Sequence, residues 1–154
     1  MSANKATASA IIDAPAEAVY AIISDYRDHH PHILPDDYFF GLEVLEGGIG
    51  AGTRMLVRGK IFGREQRLQM GVSEPEPGRV LSETDLDKGQ ITTTFVVEPR
   101  GTEQSTISIT TKWTISGGLL GLFERLFFPR YMKGMLEAEV EKLARYAAEV
   151  KKAL

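Results

Sequence analysis

The stretch Lys5–Ile12, KATASAII, alternates small or apolar residues with polar ones and ends in two β-branched side chains, the pattern of a strand. The pattern then changes to a helical one. Asp13 is a capping residue type, Pro15 suits a first helical turn, and Glu17 sits near the positive helix end. Val19, Ile22 and Ile23 follow at helical spacing, which predicts a helix from about Pro15 to Ser24. The next residues, DYRDHH, extend it by a turn until Pro31 stops it, because the residue before a proline avoids helical angles.

From Tyr38 onward the period is two. YFFGLEVLEG reads as a strand and GIGAGTR as a glycine-rich turn. TRMLVRGKIFG and REQRLQMGVSE form a hairpin turning near Phe62–Gly63, and PEPG is a turn by composition. RVLSETDLD, QITTTFVVEP and STISITTKWTIS complete six strands after the helices, with DKG and PRGTEQ as hairpin loops. In the last strand Ile107, Ile109, Thr111, Trp113 and Ile115 share one face, while Thr106, Ser108, Thr110 and Lys112 share the other. An antiparallel sheet with one covered side has this alternation.

The end of the chain is helical. Met132, Leu136, Val140, Leu143, Ala147 and Val150 recur at spacings of three and four, opposite Lys133, Glu137, Glu141, Lys142, Arg145 and Glu149. Lys151 and Lys152 sit at the negative end of the helix dipole. Pro129 marks a helix start or kink. The segment GGLLGLFERLFF before it suits a lid or cavity wall, or a surface that packs on a membrane or partner; the wall is the preferred reading.

Composition narrows the function classes. The 154 residues, with no evident break, favour one domain over 1–154. A net charge of −3 argues against a general affinity for nucleic acid. No run approaches the ~20 apolar residues of a membrane span, so stable membrane insertion is not expected. The N-terminus lacks the apolar core of a signal peptide. The absence of cysteine excludes thiol chemistry and fits a reducing cytoplasm. No phosphate loop, GxSxG or HExxH motif is present.

The opening IIDAPAEAVYAIISDYRDHHPHILP is similar to that of the START-like, or polyketide cyclase/dehydrase and lipid-transport, superfamily. VVEPRGTEQSTISITTKW resembles that superfamily's penultimate turn and last strand. The resemblance covers nearly the whole chain. It implies an α+β helix-grip fold: a curved antiparallel sheet of about seven strands wrapped around a long C-terminal helix, with two short helices after the first strand. It also implies a cavity between sheet and helix. The superfamily spans lipid carriers, hormone receptors and polyketide cyclases, so the function has to be argued from the site.

Two groups of candidates follow. All three histidines, His29, His30 and His32, lie in DYRDHHPHILPDD. A catalytic zinc takes three protein ligands on one centre. Pro31 disrupts the helix that would align His29 with His32, and the adjacent His29 and His30 point apart. No metal and no cofactor is therefore expected. The resemblance places this turn at the cavity rim, where a histidine gates access or bonds a ligand. The second group is the inward sheet face. Alternation with the facing helix gives a ligand-binding set of Met55, Val57, Met70, Thr93, Phe95, Ile109, Thr111, Trp113, Phe127, Tyr131 and Met135. The acid–base candidates are His29, His30, Tyr38, Glu83 and Asp85; the parity of the last two is open, since RVLSETD supports either face. The basic residues Arg54, Arg58, Lys60, Arg64 and Arg67 fall mostly on the solvent side. The expected function is binding or carriage of a small hydrophobic molecule: a lipid, isoprenoid or polyketide-like compound. The alternatives are a cyclase/dehydratase-type enzyme in the same cavity and a protein-interaction module.

Overall fold

The computed structural model describes residues 4–61, 63–114 and 118–153. The elements run β1 (Lys5–Ile12), α1 (Ala16–Ser24), a 3-10 turn (His30–Ile33), β2 (Phe39–Glu46), β3 (Arg54–Ile61), β4 (Arg64–Glu76), β5 (Val80–Asp85), β6 (Ile91–Arg100), β7 (Gln104–Trp113) and α2 (Gly118–Ala153). The seven strands form one antiparallel sheet in the order β1-β7-β6-β5-β4-β3-β2. β1 therefore crosses to the far edge and pairs with β7, while every later strand pairs with its neighbour in sequence. α2 lies along β1 and β7 and meets α1 and the 3-10 turn, covering the concave side. This is the helix-grip architecture. The expectations at Phe62 and Ile115 lie outside the described residues.

Period-two patterning places the core. In β7, Ser105, Ile107, Ile109, Thr111 and Trp113 are buried and their alternates are not. Thr7 with Thr110 and Ser9 with Ser108 bond across the opposite, solvated face of β1 and β7. The α2 stripe also packs inward: Met132, Leu136, Val140, Leu143 and Ala147 are buried.

Four local expectations need correction. Asp13 does not cap α1: the N-cap position belongs to Pro15, without a side-chain cap bond, and the exposed Asp13 faces Lys151 at 3.6 Å. Pro31 does not end a helix but opens the 3-10 turn, where its missing N–H costs nothing. The second short helix is thus this single turn. Pro129, expected at a helix start or a kink, is not the start: it lies inside α2, which begins eleven residues earlier at Gly118. The segment before Pro129 is not a buried wall. Leu119, Leu122, Phe123, Leu126 and Phe127 are 45–86% exposed, because its inward face is offered by other positions, Gly121 and Phe128.

Candidate functional site

Between sheet and α2 lies a cavity of about 100 Å³ that opens to solvent. Its walls are apolar: Leu42, Met55, Val57, Leu68, Met70 and Phe95 from the sheet, and Phe128, Met132, Met135 and Leu136 from α2. The exposed Lys60 and the half-buried Tyr38, Phe39 and Ile61 mark the mouth, near the β3–β4 turn. Tyr131 donates to the Lys60 carbonyl at 2.7 Å and so ties α2 to that turn. Its ring stands edge-on to Tyr38.

The opposite, inner end is polar. Its first group is Glu83 on β5, paired with Thr93 of β6 and Val72 of β4. Strand alternation with the buried Leu81 turns Glu83 inward. Its Oε1 accepts the Tyr26 hydroxyl at 2.7 Å and lies 3.5 Å from His30 Nε2. The Tyr26 and His30 rings stack with centroids 4.4 Å apart, and the edge of Phe95 closes on the imidazole. His30 Nδ1 lies 2.6 Å from the Ile23 carbonyl, which can only accept; Nδ1 therefore carries a proton and Nε2 is the nitrogen that faces the carboxylate. Burial, then the charge of Glu83, pushes the Tyr26 phenol well above its ordinary range.

Local sequence explains why these rings point inward. Asp25 Oδ1 accepts the backbone N–H of Arg27 and Asp28, an Asx turn that ends α1. The Asp25 carbonyl accepts the His30 N–H at 2.7 Å, and Tyr26 N–H bonds the Gly48 carbonyl. Lys142 on α2 donates to the Leu34 carbonyl at 2.7 Å and fastens the far side of the turn.

The second polar group is Glu139, a residue the sequence reading missed. It projects from α2 into the cavity and is 4% exposed. Burial, then the charge of Glu83, pushes its carboxyl well above the usual carboxylate range, and no hydrogen bond from the described residues counters the shift. Its signal was present: Glu139 follows Leu136 by three and precedes Leu143 by four, in the middle of the apolar stripe.

Of the expected ligand-binding set, Met55, Val57, Met70, Thr93, Phe95, Thr111 and Met135 line the cavity. Thr93 and Thr111 bond each other at 2.8 Å across β6 and β7. Ile109 and Trp113 are buried beside the lining rather than in it, Trp113 against the edge of Phe128. Tyr131 is occupied at the rim. Phe127, expected to face inward, is 51% exposed, one residue out of phase with Phe128, which lines the cavity instead. Among the acid–base candidates His30, Tyr38 and Glu83 line the cavity. His29 instead bonds the Tyr146 hydroxyl at 2.8 Å, and His32 stacks on the same ring. Asp85 is buried but its carboxylate holds the N–H groups of Asp87 and Lys88 in the β5–β6 turn. Among the described residues, no three histidines or carboxylates converge as a metal-binding group, and no helix is long and apolar enough to cross a membrane.

The sequence profile of the family described as polyketide cyclase / dehydrase and lipid transport matches residues 3–148. No curated protein matches the chain. Among solved structures, the KanY protein is 30% identical, with 96% of this chain and 99% of that one covered and a TM-score of 0.81. A protein from Thermus thermophilus is 21% identical over 95% of this chain and 98% of its own, with a TM-score of 0.79. The Zhui aromatase/cyclase from a Streptomyces species is 16% identical over 94% of this chain and 93% of its own, with a TM-score of 0.73. The last two likenesses establish a shared fold.

Proposed function

The chain belongs to the polyketide cyclase / dehydrase and lipid transport family, and on that premise we propose that it binds and carries a small hydrophobic molecule between its sheet and α2. The observation behind this reading is the cavity itself, with methionines and aliphatic side chains around a few convergent polar groups. Met55, Met70, Met132 and Met135 give the walls an adaptable shape. The class of ligand is a lipid, isoprenoid or polyketide-like compound, and the site of action is cytoplasmic. Native mass spectrometry of the purified protein, before and after organic extraction, tests the reading. The expected result is a discrete small-molecule adduct that disappears on denaturation, and that is absent from a Val57→Trp variant with a filled cavity. An adduct that survives in Val57→Trp would place the ligand elsewhere and overturn the proposal.

A second reading, a cyclase- or dehydratase-type enzyme, is favoured by one observation: the Glu83, His30 and Glu139 group at the inner end. A carboxyl pushed up by burial is suited to act as a proton donor, and Glu83 and His30 beside it carry groups able to accept a proton. In that case a bound ketone gains a proton at oxygen from Glu139 and loses one from the adjacent carbon to Glu83 or His30. Deuterium uptake at that carbon, lost in Glu139→Gln, distinguishes the enzyme from the carrier.

A further inference from the structure

We propose that Glu139 is the recognition group of the cavity, selecting apolar ligands that present a carbonyl oxygen to its inner end. This rests on the cavity-binding reading and specifies its ligand.

The geometry carries the argument. Glu139 sits in the centre of the α2 apolar stripe, among Leu136, Val140 and Leu143, where a leucine would pack without cost. Its carboxyl faces the cavity and receives no hydrogen bond from the described residues. The contrast with Glu83 is direct. Glu83 is supplied by the protein itself, with the Tyr26 hydroxyl on Oε1 and His30 Nε2 nearby. Glu139 has no such supply, so its partner has to come from the contents of the cavity.

The chemistry of that partner follows from charge. Burial and the neighbouring Glu83 charge both favour the neutral acid at Glu139. A neutral carboxylic acid has one O–H to donate, and no described residue is bonded to it. A ketone, quinone or ester oxygen accepts that bond without bringing a charge. An ammonium ligand, by contrast, has to be stripped of water among methionine and aliphatic walls, which is the more costly transfer. The rest of the ligand is apolar because the walls are.

The test uses three probes of one shape: a naphthyl methyl ketone, the corresponding ethylnaphthalene and the corresponding naphthylethylamine. Calorimetric titration of the wild-type protein is expected to show the ketone bound about threefold to tenfold more tightly than the hydrocarbon, the range of one net hydrogen bond. Glu139→Leu abolishes that preference while retaining the hydrocarbon. Glu139→Gln, which keeps an N–H donor of similar size, restores part of it. The infrared carbonyl stretch of the bound ketone falls in frequency with wild type but not with Glu139→Leu, which a purely structural role of Glu139 would not produce. Equal ketone and hydrocarbon binding by wild type, or a preference for the amine, overturns the assignment of Glu139 and leaves the cavity reading intact. Failure of all three probes to bind removes the cavity reading and the assignment together.

Discussion

The two halves of α2 break the amphipathic rule in opposite directions. In residues 118–129 the outward face is apolar, with Leu119, Leu122, Phe123, Leu126 and Phe127 exposed. In residues 132–147 the outward face is charged, as expected, but the inward face carries the buried Glu139. The first departure costs little in the folded state, since an exposed leucine was exposed in the unfolded chain as well. The second is expensive, because a carboxyl has left bulk water for a mostly apolar cavity and has gained no bond from the described residues. The same helix therefore holds an inexpensive anomaly beside the mouth and a costly one at the inner end. The costly one is the stronger pointer to the site.

Substitutions along the helix sharpen the contrast. Leu136→Ala, in the fully buried stripe, is expected to cost about 2–5 kcal/mol, read as a lowered denaturant midpoint. Glu83→Leu is expected to destabilise by about 1–3 kcal/mol, since the Tyr26 hydroxyl loses its acceptor in a buried place. Glu139→Leu has the opposite sign. Removing an unbonded buried carboxyl should stabilise by about 1–2 kcal/mol at neutral pH, and a destabilisation there would show that the carboxyl has a partner after all. The paired change Leu122→Glu and Leu126→Glu should shift stability by no more than about 0.5 kcal/mol per site, the range of ordinary surface positions.

The buried acid on α2 also makes stability depend on pH. Glu139 has a raised folded-state pKa, so the folded protein holds its proton more tightly than the unfolded chain does. Its contribution to stability is complete below the unfolded value of about 4.3 and is lost as pH rises through the raised folded value. Glu83, His30 and Tyr26 face the same space. Denaturation curves across that range should therefore decline more steeply with pH in wild type than in Glu139→Leu.

Much of this was legible in the residues. Alternation in STISITTKW and the Met132–Ala147 stripe located the sheet and α2, because burial of one face imposes a period that survives in any single sequence. The walls of the cavity followed from the same parity. The parity of RVLSETD did not, since Leu81, Glu83 and Asp85 mix apolar and charged side chains on one face. Nor did the fate of the histidines. Which of three near neighbours turns inward depends on an Asx turn at Asp25 and on a contact with the Gly48 carbonyl more than twenty residues away. Phe127 and Phe128 are chemically identical, and the rotation of about 100° between them on the helix decides which one faces the cavity. Glu139 was visible as a charge in phase with leucines, but phase alone does not distinguish a buried acid from one that turns aside at the edge of a stripe.

The edge position of β1 has a consequence for the birth of the chain. Thr7 and Thr110 share a hydroxyl bond although they are 103 residues apart. During synthesis β1 emerges before β2 to β6, whereas its neighbour β7 and its cover α2 are made after them. The hairpins from β2 to β7 can form in order as they appear, whereas β1 has to wait, and closing so long a loop is slow. The inner end of the cavity is assembled in the same late step, because Glu139 arrives on α2 after Glu83 and His30 are already in the growing sheet and turn. Any ligand that binds while the chain is still being made would meet an open sheet first, and the helix would then close over it.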